Sequence, residues 1–279
     1  MTTPIIGVFD SGFGGLTVLR ALLPRIPGAH YIYLGDTARL PYGAKSQATI
    51  ARYAVESAKF LADQGCNYLV IACNTATALA LDDIRRAVTI PVLGVIDPGA
   101  QAAASAIGSW QLATGGSTQN PEVLVLATAA TVQSQAYRAA CDALGLHATE
   151  LATPLLVPLV EEGWTDHPVT DEVLRIYLTD ALAECNPQAV LLGCTHYPLI
   201  APAIERTLRS LGSNALIIDS AEATAAAAAS QLEPGTLNLE PAPATFTCYA
   251  TDSTEKFQRL GGHFLGQQIP QVHLLDLGG

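Results

Sequence analysis

Two cysteines, Cys73 and Cys194, occupy matching places in a sequence that partly repeats itself. Residues 68–97 read YLVIACNTATALALDDIRRAVTIPVLGVID, and residues 189–219 read AVLLGCTHYPLIAPAIERTLRSLGSNALIID. Each copy has an apolar strand, a cysteine with small polar residues behind it, and a helix pattern carrying Ile-Arg-Arg or Ile-Glu-Arg. A second strand then closes on an aspartate, 24 residues after the cysteine in the first copy and 25 in the second. The match reaches upstream: GVFDSG around Asp10 lies 63 residues before Cys73, and VLATAAT around Thr128 lies 66 before Cys194. A cysteine just past a buried strand and at the head of a helix meets free N–H groups and a positive dipole end. Both favour thiolate, so the pKa is expected below the ~8.5 of a free thiol. A lone cysteine reads as a small buried hydrophobe. Two at repeat-equivalent positions, one before Asn74-Thr75 and one before Thr195-His196, read as chemistry. A thiolate on one face of a C–H-bearing carbon and a thiol on the other would invert that centre, and exchanging roles would run the reaction backwards. A hydrolase would instead need one nucleophile with an oxyanion hole. Cys194-Thr195-His196 lacks the C-x₂₋₄-C spacing of zinc sites.

The loop Asp10-Ser11-Gly12-Phe13-Gly14-Gly15 follows a strand and precedes a helix, a place where backbone N–H groups cradle anions. It is neither a P-loop, lacking Lys-[Ser/Thr], nor GxGxxG, since Thr17 stands where the last glycine belongs. Asp10 is suited to an ammonium group or to partnering a thiol; its alternative role is to cap the following helix. His196 can assist Cys194, because histidine titrates near neutrality. Pro41-Tyr42-Gly43 reads locally as a turn, and Glu161 as a solvated helix end. His30, His147, His167, His263 and His273 have no acid or thiol beside them in sequence and receive no role.

Positioning these residues requires alternating strands and helices. The runs IIGVF, YIYL, YLVIAC, VLGVI, EVLVLAT, AVLLGC and ALIID have the apolar continuity of strands buried on both faces. Helix patterns cover residues 16–23, 47–64, 77–88, 132–144, 171–184 and 199–211, and the alanine-rich 221–231 adds another, alanine being the best helix former. The alternation predicts parallel α/β layers, with ligands at the carboxyl ends of the strands. Asp97-Pro98-Gly99 reads as a break, and residues 109–121 as a surface insertion.

Composition narrows the function classes. The 279 residues are 49% hydrophobic and 14% charged, enough for a substantial core. A net charge of −11 with no basic stripe argues against nucleic-acid partners. No stretch approaches the ~18 apolar residues of a membrane span. The N-terminus lacks a basic n-region, so a signal peptide is not expected. The six cysteines form no CxxC pair and read as cytosolic thiols.

DSGFGG (10–15), GDTARLPYG (35–43), ACNTAT (72–77), Thr128 with Thr131, PLVE (158–161) and GCTHYPL (193–199) resemble, in order and along essentially the whole chain, the motif series of bacterial glutamate racemases of the aspartate/glutamate racemase superfamily. DSGFGG and the PYG turn favour glutamate over aspartate. The resemblance implies an α/β fold of two pseudo-symmetric domains with mainly parallel sheets, residues 1–98 plus 220–279 and residues 99–219, and an active site in the cleft between them. It implies that Cys73 removes the α-proton of D-glutamate and Cys194 that of L-glutamate, Asp10 assisting Cys73 and His196 and Glu161 supporting Cys194. Asp10, Ser11, Tyr42, Gly43, Asn74, Thr75, Thr128, Thr131, Thr195 and His196 would hold the substrate. No cofactor is implied, neither pyridoxal phosphate nor metal. The implied partner is glutamate, with no nucleic acid and no membrane and a homodimer left open; the implied role is cytoplasmic supply of D-glutamate for peptidoglycan. Three departures stand out: Asp97 where glutamate is expected before Pro-Gly, Ala127 where glycine is usual before Thr128, and the long 109–121 segment. Other readings are an aspartate racemase, a two-lobed small-molecule binding protein and an interaction protein in which the cysteines are replaceable.

Overall fold

The apolar runs become the inner strands of two parallel sheets in the computed structural model, which describes residues 4–114, 121–232 and 243–278. The strands are β1 (Ile5–Asp10), β2 (His30–Gly35), β3 (Tyr68–Ile71), β4 (Val92–Gly94), β5 (Glu122–Ala127), β6 (His147–Ala152), β7 (Ala189–Gly193), β8 (Leu216–Asp219), β9 (Thr245–Ala250) and β10 (Val272–Leu274). The helices are α1 (Leu16–Leu22), α2 (Gln47–Asp63), α3 (Asn74–Ala87), α4 (Ile96–Thr114), α5 (Ala129–Ser134), α6 (Ala136–Asp142), α7 (Leu156–Glu161), α8 (Pro168–Glu184), α9 (Ala201–Ser210), α10 (Ser220–Gln231) and α11 (Thr254–Leu265). Short 3-10 turns occupy Thr37–Arg39, Tyr42–Ala44 and Tyr197–Ile200.

The chain divides into two compact units, Met1–Val95 with Thr224–Gly279, and Ile96–Ala223. The first contains a six-stranded sheet in the order β10-β9-β2-β1-β3-β4, and the second a four-stranded sheet in the order β6-β5-β7-β8. Every pairing in both is parallel. The run β2-β1-β3-β4 has the same connectivity as β6-β5-β7-β8, so the sequence repeat is one four-strand unit used twice. Parallel neighbours need crossovers, supplied here largely by helices. The strands before the two cysteines are buried throughout, Tyr68–Ile71 and Ala189–Gly193, as strands covered on both faces must be. Because the strands run the same way, the loops leaving β1 and β3 emerge side by side, as do those leaving β5 and β7.

Several expected boundaries change. Asp97-Pro98-Gly99 is no break; it forms the first turn of α4. Proline is tolerated there because its missing N–H would have had no helical partner, and Asp97 complements the dipole. The expected surface segment 109–121 is helical as far as Thr114, and residues 115–120 lie outside the described residues. The predicted helix 132–144 is two helices, split at Gln135, whose φ of 56° breaks the ladder. The pattern at 77–88 begins earlier, immediately after Cys73. Strands β6, β9 and β10, with helices α4, α7 and α11, were absent from the apolar pattern. The predicted helix over 221–231 forms as α10.

Candidate active site

In the first unit, β1 delivers Asp10 and Ser11 beside Cys73, which follows β3. Asp10 is buried, and the Gly12 amide donates to its Oδ2 at 2.9 Å. It therefore ties its own loop rather than capping α1, whose N-cap is Gly15. The head of α1 fits against both strand ends only because Gly15 has no side chain. A Cβ there would lie 2.5 Å from the Asp10 Cβ and 2.9 Å from the Ala72 Cβ. From below, the buried Tyr33 hydroxyl donates to the Gly12 carbonyl at 3.0 Å.

Cys73 is the N-cap of α3: its Sγ accepts from the Ala76 amide at 3.4 Å and donates to Ser11 Oγ at 3.5 Å. For Cys73 the expected lowering of the thiol pKa is not seen. Burial, then the nearby Asp10 charge, push it up to about 12, and the bonds to Ser11 and Ala76 offset only part. A helix terminus contributes about 0.3–1 kcal/mol, under one pKa unit, whereas burial shifts a group by up to about 3–5 units. Cys73 is only 6% exposed, so burial wins. Asn74 and Thr75 line the first turn of α3, both buried.

The turn carrying Tyr42 and Gly43 follows the cis peptide bond at Leu40-Pro41. The Tyr42 hydroxyl donates to Asp36 Oδ2 at 2.6 Å, and Thr251 donates to Asp36 Oδ1 at 2.9 Å. Arg39 is buried between Asp36 (3.5 Å) and Glu56 (2.7 Å). Burial raises the Asp36 carboxyl; the Tyr42 bond, the Arg39 charge and the Thr251 bond hold back part of the rise. Asp36, Arg39 and Tyr42 all lie within the GDTARLPYG motif, but Glu56 and Thr251, which complete the cluster, lie outside it.

In the second unit, Thr128 follows β5 and caps α5, accepting from the Thr131 amide at 3.4 Å, and the two hydroxyls are 3.0 Å apart. Ala127, where glycine was expected, is fully buried, and its carbonyl accepts from the Thr153 amide. Cys194, 6% exposed, follows β7. Its Sγ lies 3.8 Å from His196 Nδ1, which is also 3.3 Å from Thr195 Oγ1. The other ring nitrogen, Nε2, is 3.2 Å from Glu161 Oε1 at the end of α7. Glu161, expected to be solvated, therefore has a buried partner. Burial alone would lower the His196 pKa. The hydrogen bonds to Cys194 and Glu161, and their negative charges, outweigh it and raise the ring to about 10. In its protonated form the ring can donate from both nitrogens, one towards Cys194 and one to Glu161.

Each unit thus presents a buried thiol at a strand end, bonded to Ser11 and the Ala76 amide in one and near His196, itself beside Glu161, in the other. Proton transfer to or from a bound molecule is chemistry that a thiol so placed can perform. Among the described residues, no group of three or more His, Cys, Asp or Glu side chains is placed to hold a metal ion, and no helix is long and apolar enough to cross a membrane.

Residues 15–228 match the family model described as Asp/Glu/Hydantoin racemase. The chain is 48% identical to a glutamate racemase of Koribacter versatilis, with 99% of this chain and 98% of that protein covered. Among solved structures, it resembles glutamate racemase from Thermus thermophilus in complex with β-chloro-D-alanine (TM-score 0.84, 41% identity, covering 99% of this chain and 97% of that one). It also resembles the Francisella tularensis glutamate racemase in complex with D-glutamate (TM-score 0.85, 34% identity, covering 99% and 98%).

Proposed function

The chain belongs to the Asp/Glu/hydantoin racemase family, and from that premise we propose that it interconverts L- and D-glutamate by proton transfer between two thiols. The observation that carries this reading is the pair of buried thiols at equivalent strand ends of a repeated unit, each with a different partner. Full-length likeness to glutamate racemases, together with the DSGFGG and PYG motifs, supports glutamate as the substrate.

In the L-to-D direction, the Cys194 thiolate takes the α-proton and becomes a thiol. The Cys73 thiol gives its proton to the opposite face and becomes a thiolate. The reverse reaction exchanges the roles; after each L-to-D turnover Cys194 gives up its proton to solvent and Cys73 takes one from it, restoring the starting pair. A protonated His196 ring at 3.8 Å gives a Cys194 thiolate its counter-charge. Cys73, with a pKa of about 12, starts as the acid. Its thiolate, once formed, is a strong base for the D-enantiomer. The intermediate carries its charge on the α-carboxylate. Ser11, Asn74, Thr75, Thr128, Thr131, Thr195 and the turn at Tyr42-Gly43 offer neutral donors for it, an electrostatic stabilisation that works best with water excluded.

D-Glutamate formed in this way would serve peptidoglycan assembly, and the six unpaired cysteines suit a reducing cytoplasm. The test is L-glutamate with the protein in D₂O and no added cofactor, followed by polarimetry and NMR. Rotation falling to zero as deuterium enters the α-carbon is the expected result; no exchange would refute the reading. Growth of a D-glutamate-requiring bacterium expressing the chain tests the cell-wall role.

A further inference from the structure

We propose that Tyr197 and Thr153 are positioning residues that clamp the Cys194 loop to its neighbours, an inference that rests on Cys194 acting as a base. Both are fully buried, and nothing in the motif reading assigns either a role. Tyr197 opens the 3-10 turn after Cys194-Thr195-His196, and its amide is bonded back to the Cys194 carbonyl at 3.1 Å. Its hydroxyl is 2.7 Å from Thr153 Oγ1 and donates to the Thr153 carbonyl at 3.2 Å. Thr153 Oγ1 donates to the Ala127 carbonyl at 3.3 Å, and the Thr153 amide donates to the same oxygen at 3.0 Å. Each hydroxyl has one proton. Either hydroxyl can be the donor across the 2.7 Å contact, and the remaining bonds tie the pair to the carbonyls of Thr153 and Ala127.

The strand order explains what this joins. In β6-β5-β7, Tyr197 follows β7 and reaches past β5 to the residue immediately after β6, a span of two strand spacings, ~9.5 Å. Ala127 immediately precedes Thr128, Thr153 leads into α7 and Glu161, and Tyr197 follows Cys194 and His196. Three loops carrying candidate site residues are therefore held by two hydroxyls. The 3.2 Å His196–Glu161 contact needs the Cys194 loop and α7 in register, and the clamp supplies that register from underneath. A phenol and a hydroxyl in an apolar interior bond to each other or lose most of their stabilisation.

The experiment compares Tyr197→Phe and Thr153→Val with the unaltered protein, using glutamate deuterated at the α-carbon. The enantiomers have equal free energy, so kcat/KM must fall together in both directions, by about 10- to 100-fold for a misplaced base. Primary isotope effects on kcat/KM identify the face. If Cys194 is misplaced, removing its proton becomes more rate-limiting: the isotope effect rises with α-deuterated L-glutamate and falls with the D-enantiomer. Thr153→Ser, which keeps the hydroxyl, should return both towards normal. Isotope effects unchanged in both directions, or moving in the same sense for both enantiomers, would overturn the clamp. If Tyr197→Phe does not fold, Thr153→Val carries the comparison. Should the unaltered protein exchange no α-proton, the base assignment and the clamp fail together. Normal racemisation with unmoved isotope effects in the variants removes the clamp alone.

Discussion

Replacing Glu161 with glutamine removes a charge and leaves the shape, so it measures how strongly the carboxylate holds the His196 imidazolium. At the 3.2 Å separation of Oε1 and Nε2, two unit charges attract by about 5 kcal/mol at an effective dielectric of about 20, and about 1.3 kcal/mol in water. The Glu161 side chain is 26% exposed, which screens the pair and places the interaction nearer the lower figure, about 1.5–3 kcal/mol. At about 1.36 kcal/mol per unit, that is a fall of roughly one to two pKa units. His196 should then titrate one to two units below its present value of about 10. The sign follows from linkage. A histidine with a raised folded pKa contributes stability that is complete below its unfolded pKa of ~6.5 and is lost as pH rises through the folded value. In Glu161→Gln the loss still begins near the unfolded value but is smaller and is complete at lower pH, and the alkaline limb of kcat should move down with it. Imidazole nitrogen NMR between pH 6 and 11 follows the ring, and urea denaturation across the same range follows the stability. A His196 titration that stays in place or moves up would refute the ion-pair reasoning.

Other expected outcomes follow from the same geometry. Cys73→Ala or Cys194→Ala should each cut racemisation by at least the ~10²–10⁴-fold that a general acid or base supplies; near-normal turnover by polarimetry in either variant would exclude a two-thiol mechanism. Gly15→Ala forces a Cβ to within 2.5 Å of the Asp10 Cβ and should destabilise by about 1–3 kcal/mol, a loss visible in Tm; an unchanged Tm would mean that α1 shifts freely. Cys73 and Cys248, both raised to about 12 mainly by burial, should contribute stability that is complete below an unfolded thiol's ~8.5 and lost as pH rises towards 12. Thermal unfolding between pH 8 and 11 should show that decline, and a flat profile would contradict it.

The local sequence carried the two central strand pairs and the thiols. β1, β3, β5 and β7 are short continuous apolar runs, and a strand covered on both faces must read that way wherever it lies. The repeat marked Cys73 and Cys194 as equivalent, and the shared connectivity of β2-β1-β3-β4 and β6-β5-β7-β8 is the physical form of that repeat. β6, β9 and β10 escaped because strands at or near a sheet edge are partly exposed and mix polar with apolar residues, as in HATELA and TFTCYA. Only their neighbours make them strands. The polar supports were hidden for a related reason. Thr153 and Tyr197 are 44 residues apart and Thr251 and Asp36 are 215 apart, so neither partner is written near the other. Protonation was likewise a tertiary decision. The helix start behind Cys73 is visible in sequence and argues for a thiolate, yet the depth of burial and the nearness of Asp10 reverse it. Glu161 reads as a solvent-facing helix end until His196 arrives from another strand. Residue type and spacing identified which groups could move a proton. Distance and dielectric, which depend on the folded chain, decided which of them hold it.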